Sequence, residues 1–215
     1  MVVMSAFRYL MAVDPSLTCS GWALFSVKDG RIAAVGKIKS DPPSVSIATR
    51  LLKLQERVAG VFEKLSLGER DVLVCEAPTT MRDPHNTIKV EQVRGLFEST
   101  ARHRSVEVPG RVNPRTVQYE VMGLKGKQLV RTEVKLAALR TALYLYAPRL
   151  EQLGFVATED SLKKHQDIVD ALLIGRLMLS RIHAARDARV PLASLLENQT
   201  SQNRGSWRVR SCGVS

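Results

Sequence analysis

Three apolar runs of strand length stand within the first forty residues, too close together for a helix between them: RYLMAVD at 8–14, GWALFSV at 21–27 and IAAVGKI at 32–38. The link KDGR carries an Asp-Gly pair, the dipeptide that suits a tight hairpin between strands. The chain therefore opens with three antiparallel strands. After the breaker SDPPS the period changes, and Ile47, Leu51, Leu54, Val58, Val61 and Leu65 recur at spacings of four and three. That is one face of a helix ending near Gly68, and it predicts a helix lying on the sheet. DVLVCE at 71–76 is a fourth strand, ending in a carboxylate. Asp83 and Pro84 supply the cap and first turn of a helix to about Arg104. SVEV at 105–108 reads as the fifth strand, and Asn113-Pro114 opens a short helix that stops near Gly123. A basic loop, LKGK at 124–127, precedes a helix to about Tyr146 that Pro148 ends, and residues 164–185 form the last long helix. Three strands, helix, strand, helix, strand and further helices define an α/β fold: a mixed five-stranded sheet with helices on both faces. Residues 1–186 are expected to form one domain. Residues 187–215, poor in aliphatics and rich in Ser, Asn, Gln and Arg, are expected to form a flexible polar and basic tail.

The net charge is +11, with an isoelectric point near 10.0, which favours a polyanionic partner. Between Arg102 and Arg140 nine basic residues face three acids, Glu107, Glu120 and Glu133. This stretch is either a phosphate-facing surface or a solvated helical face. The three cysteines, Cys19, Cys75 and Cys212, have no metal-ligand spacing and suggest no disulfide framework. No apolar run approaches the roughly 20 residues that span a bilayer, and MVVMSAFRYL lacks the order of a secretory signal. A cytoplasmic protein without a membrane partner is expected.

Four acids stand out within this basic chain. Asp14 and Glu76 each end an apolar strand and precede a small or turn residue, and strands one and four can lie side by side, which brings their carboxyl ends together. In HQDIVDALLIG, Asp167 and Asp170 are three apart on one helical face flanked by Ile168, Val169, Ala171 and Leu172. Each acid has an ordinary reading: Asp14 as a turn residue before Pro15, Glu76 as a strand-end charge, and the two aspartates as partners of Lys163, Lys164 or Arg176. Together they describe a metal site, because carboxylates crowded in a packed place take up protons unless a divalent cation holds them ionised. Hard oxygen ligands favour Mg²⁺ or Mn²⁺. Two such ions suit in-line attack of water on a phosphodiester.

AVDPSLTCSGWALF, VLVCEAP and DIVDALLIG, in that order and spacing, resemble the RuvC Holliday-junction resolvases of the ribonuclease-H-like fold. EQVRG at 91–95 and VNPRTVQYEVMGLKGK at 112–127 are similar in position and character. The resemblance spans roughly residues 8–185. It implies metal ligands at Asp14, Glu76, Asp167 and Asp170, two Mg²⁺ ions per site, a homodimer, and symmetric cutting of four-way DNA junctions. It also implies DNA contacts at Lys125, Lys127 and Arg131, with Arg115 on the same basic segment; for the dimer, the sequence itself offers the helix from about 84 to 104 as a candidate interface. Two departures stand out. Ser16 replaces the family's usual Gly, and the run after Glu76, AlaProThrThrMet, has no aromatic, leaving Met81 or another wedge to open the junction. A nuclease of broader branched-DNA specificity, or a catalytically silent nucleic-acid binder of the same fold, are the competing readings. In the tail, Trp207 with Arg204, Arg208 and Arg210 is either a DNA-touching arm or a loose terminus. The turn from Pro15 to Gly21 is expected to keep bulky side chains away from the scissile phosphate.

Overall fold

The computed structural model describes residues 7–78, 84–125 and 130–197. Strands β1 (Tyr9–Asp14), β2 (Cys19–Ser26) and β3 (Ile32–Lys39) form the antiparallel meander, and α1 (Ile47–Lys64) leads to β4 (Asp71–Glu76), which runs parallel to β1. Helix α2 (Pro84–His103) precedes β5 (Arg111–Val112), parallel to β4. Then come α3 (Pro114–Glu120), α4 (Arg131–Gln152), α5 (Glu159–Lys163), α6 (Gln166–Ala188) and α7 (Ser194–Glu197). The sheet order is β3-β2-β1-β4-β5. This is the mixed five-stranded sheet that the sequence predicts.

Alternate residues of each strand feed two cores. Leu10, Ala12, Ala23, Phe25, Val72 and Val74 pack with α4 and α6, whereas Met11, Val13, Trp22, Leu24, Leu73 and Cys75 pack with α1 and α2. Both faces are thus covered, which explains why β1 and β4 read as continuous apolar runs. Each fully buried Leu or Phe contributes about 1.5–3 kcal/mol.

The structure departs from the sequence expectations at four places. The segment SVEV does not form the fifth strand. Ser105 has φ +59°, and Glu107 makes a single bridge to Val72 through Leu73 N–H to Glu107 O (2.8 Å) and Glu107 N–H to Asp71 O (3.0 Å). Pro109 then offers no N–H to the ladder. Pairing resumes only at Arg111–Val112, beside Cys75 and Glu76. Pro148 does not end α4 but lies inside it. A proline there frees the carbonyl four residues back, and this is Tyr144, 88% exposed, where water can take it. Buried Leu150 and the bond from Arg149 Nε to Ile32 O (2.7 Å) hold the following turn. On α1 the buried stripe is Arg50, Leu54, Val58 and Phe62, while Ile47 is exposed. Finally, packing continues beyond residue 187: Leu192 is buried, and Leu195 and Leu196 of α7 lie against the α6 core. Trp207, Arg204, Arg208, Arg210 and Cys212 lie outside the described residues.

Candidate metal and nucleic-acid site

The parallel register of β1 and β4 places Val13 beside Cys75, so Asp14 and Glu76 follow as neighbours at the ends of adjacent strands. Strand parity then decides where they point. Val13 and Cys75 belong to the α1/α2 core, so the next residue on each strand faces the opposite side, toward α6. Asp167 and Asp170 lie in the first two turns of α6, on that side.

Gly21 makes the approach of α6 possible. It pairs with Asp14 in the β1–β2 ladder, and a Cβ added to it would lie 2.0 Å from the main-chain oxygen of Asp167. Gly21, at the end of the Pro15–Gly21 turn, thus lets the backbone of α6 reach β2. The Pro15–Gly21 turn is closed by its own hydroxyls: Ser16 N–H donates to Ser20 Oγ (2.9 Å), and Ser20 Oγ–H donates to Ser16 O (2.9 Å). Ser16, the departure at the first signature, leaves Asp14 at its strand end.

The acids feel one another's charge. Burial pushes Asp14 well above the usual carboxylate range, and the charges of Glu76, Asp170 and Asp167 push it further. Glu76 is pushed up to about 7, first by burial and then by Asp170. Burial also raises Asp170 to about 6, against the opposing bond from Gln166 Nε2 to its Oδ1 (3.0 Å). Asp167 is the most open of the four and is paired with Lys37 at 3.4 Å, not with Lys163, Lys164 or Arg176. Lys163 is instead paired with Asp160. Among the described residues no group of three or more His, Cys, Asp and Glu side chains stands already assembled as a metal cage. The donor set nonetheless fits a hard divalent cation: every ligand offers oxygen, and Asp14, Glu76 and Asp170 are pushed toward protonation as they stand. Asp14, Glu76, Asp170 and Asp167 are the residues that could hold it.

Arg94 is a contributor that the sequence reading did not single out. It is 1% exposed on α2, donates from Nε to the main-chain oxygen of Glu76 (2.7 Å), and is paired with Glu91. Its positive charge opposes the upward shifts of both Asp14 and Glu76. Glu91 also meets Arg111 (3.1 Å), whose guanidinium bonds both oxygens of buried Glu98 (2.7 and 3.0 Å). With Ala77 N–H donating to Val112 O (2.7 Å), this network fixes the strand end that carries Glu76. The available signal was a lone basic residue beside Val93 and Phe97 on the packed face of α2.

Of the basic positions, Arg115, Lys125 and Arg131 are exposed. Arg131 opens α4 and lines a cavity shared with Glu76 and Asp170, and Lys135, one turn later, lines it as well. Lys127 and Met81 lie outside the described residues. Cys75 is buried in the α1/α2 core, whereas Cys19 is half-buried beside Asp167, its thiol raised to about 11 by burial and by that carboxylate. No helix among the described residues is long and apolar enough to cross a membrane.

Sheet order, helices on both faces and acids at the ends of two central strands define an α/β protein of the ribonuclease-H-like fold. Among solved structures, the chain is similar to Thermus thermophilus RuvC in complex with Holliday junction substrate, with a TM-score of 0.56 and 19% identity over 84% of this chain and 96% of that one. In sequence it is 28% identical over 132 residues to a crossover junction endodeoxyribonuclease RuvC of Erythrobacter litoralis, covering 60% of this chain and 78% of the relative. It is 29% identical over 141 residues to the RuvC of Rhodospirillum rubrum, covering 62% and 80%. No family model matches. In fold and in sequence the chain is thus similar to RuvC crossover junction endodeoxyribonucleases.

Proposed function

We propose that this chain is a metal-dependent endonuclease that resolves four-way DNA junctions by paired phosphodiester hydrolysis as a homodimer. One observation carries the reading: Asp14 and Glu76 end adjacent parallel strands and turn toward the two aspartates of α6. The similarity to proteins named crossover junction endodeoxyribonucleases, and to a structure of RuvC with a Holliday junction, supports the substrate class.

Asp14, Glu76, Asp170 and Asp167 would hold two Mg²⁺ ions, with Mn²⁺ as a substitute. Such ions supply activated water and stabilise the leaving oxygen. The chain itself does the positioning. Arg94 holds the Glu76 strand end, Gln166 orients Asp170, and Lys37 steadies Asp167 at the rim. Arg115, Lys125, Lys127 and Arg131 bind the phosphates, consistent with the net charge of +11. Two cuts need two sites related by a twofold axis. The exposed side of α2, which carries Ile88 at 57% exposure, is our candidate for the interface. The working compartment is the cytoplasm.

A catalytically silent binder is disfavoured, since four converging acids without a metal would only weaken phosphate binding. The run from Ala77 to Met81 has no aromatic, and this favours action broader than four-way junctions alone. A substrate panel separates the readings: a synthetic four-way junction, a fork, a flap and an RNA-containing duplex, each end-labelled and incubated in Mg²⁺. The proposal expects the junction to be cut fastest, with symmetric nicks in opposite strands. Faster cutting of the hybrid duplex or the flap would overturn it.

A further inference from the structure

Beside the carboxylates lies a cavity of about 250 Å³ bounded by α3, α4 and α6. Glu76 and Asp170 form one wall. Val117, Met122, Val134, Ala138, Leu173 and Ile174 give it an apolar lining. Arg131 and Lys135 stand on the α4 side, four residues apart and so on one helical face. Two carboxamides, Gln118 and Gln166, also line it; the amide nitrogen of Gln166 is committed to Asp170.

A cavity built only to pass a sugar-phosphate strand has no use for an apolar interior, and a hydrophobic ligand has no use for two cations and two carboxylates. Apolar walls, amide groups and adjacent cations together match a nucleotide, whose planar base seeks desolvation and edge hydrogen bonds while its phosphate seeks positive charge. The volume is below the roughly 300–1,000 Å³ of drug-sized pockets and admits a single base. Because Glu76 and Asp170 belong to the wall, any occupant adjoins the phosphate under attack. Lys135 and Asp170 line the same cavity, so the cation and the carboxylate face one occupant.

We propose that this cavity is a nucleobase subsite, receiving one unstacked base of the cut strand next to the scissile phosphate and so contributing to the choice of cleavage position. The inference rests on the nuclease reading above. Gln118 reads the edge of the base, Met122 and Val134 pack on its face, and Arg131 with Lys135 hold the phosphate attached to it.

The test places 2-aminopurine, one position at a time, around the cleavage point of a four-way junction. Fluorescence is then read in EDTA with the wild-type protein, with Met122→Trp, which fills the cavity, and with Gln118→Ala, each checked for fold by circular dichroism. One position brightens, in keeping with unstacking, and Met122→Trp abolishes that signal. In Mg²⁺, replacing the same nucleotide by an abasic residue slows wild-type cleavage about tenfold or more, and leaves the already slow Met122→Trp protein unchanged. Gln118→Ala loses preference among bases at that position. A fluorescence pattern identical for wild type and Met122→Trp, or wild-type cutting indifferent to the abasic residue, overturns the subsite. Failure of the wild-type protein to cut any junction in any divalent metal overturns the nuclease reading instead, and the EDTA measurement keeps the two failures distinct.

Discussion

Replacing Gly21 by Ala adds a single methyl group at the point where α6 meets the sheet, and the structure sets its cost. The new Cβ would lie 2.0 Å from the main-chain oxygen and 2.1 Å from the carbonyl carbon of Asp167, where real Cβ atoms essentially never approach within 3.0 Å. The difference, 3.0 less 2.0, requires a displacement of at least 1.0 Å. Both partners are backbone, so no side chain can swing aside. Either β2 bends away beside Asp14 or the first turn of α6 lifts, and both separate Asp14 from Asp167 and Asp170. Overpacking of this kind costs about 1–3 kcal/mol of stability, and a misplacement of about 1 Å in a catalytic constellation costs on the order of 10²-fold in rate. Gly60 provides the control: it is exposed in α1, and nothing lies within 4 Å of its added Cβ. Gly60→Ala should therefore stabilise the protein by about 0.5–1 kcal/mol and leave cleavage unchanged. The assay pairs thermal unfolding with single-turnover cleavage of an end-labelled junction in Mg²⁺. If Gly21→Ala cuts at the wild-type rate, the close approach of α6 to β2 is not what assembles the site.

Further outcomes follow from the same geometry. Glu76 and Asp170, pushed up to about 7 and about 6, hold their protons more tightly when folded than when unfolded. The metal-free protein should therefore lose stability as pH rises from about 4 through 7, and melting curves in EDTA should show that slope while Mg²⁺ flattens it. Arg94→Met should cost about 2–3 kcal/mol by removing a charged hydrogen bond and should weaken cleavage, with unfolding in urea and junction cutting as readouts. Arg115→Gln, Lys125→Gln and Arg131→Gln should each lower the slope of log affinity against log salt by about one, measured by junction binding in EDTA. Leu54→Ala, in the α1/α2 core, should cost about 2–5 kcal/mol while the folded fraction cuts normally, as seen by comparing melting and rate.

Most of the sheet was legible because β1, β2 and β4 are buried on both faces and the link from β2 to β3 is a tight Asp-Gly turn. The expectation failed where local pattern and tertiary context disagreed. SVEV has strand composition, but its left-handed first residue, Ser105, and the Pro109 that follows it limit it to one bridge. Pro148 looked like a helix stop, yet Leu150 has a core to enter beyond it. That Asp14 and Glu76 end neighbouring strands, and that Asp167 and Asp170 share one helix, could be anticipated from strand ends and helical spacing. The position of Arg94 on the packed face of α2 was a signal, but its partner and that of Lys37 were not legible, being a main-chain oxygen 18 residues away and a carboxylate 130 residues away. The cavity between α3, α4 and α6 likewise depends on how three helices meet.

The central claim is that four carboxylates at one place cut branched DNA with the help of a divalent metal. A four-way junction with both cleavable strands end-labelled, incubated in Mg²⁺ with wild type, Asp14→Asn and Asp170→Asn, tests it most directly. The account predicts paired, symmetric cuts by the wild type, and loss of cutting in both variants with junction binding retained. Tight binding by the wild type without cleavage in any divalent metal, or undiminished cleavage by either variant, would contradict it.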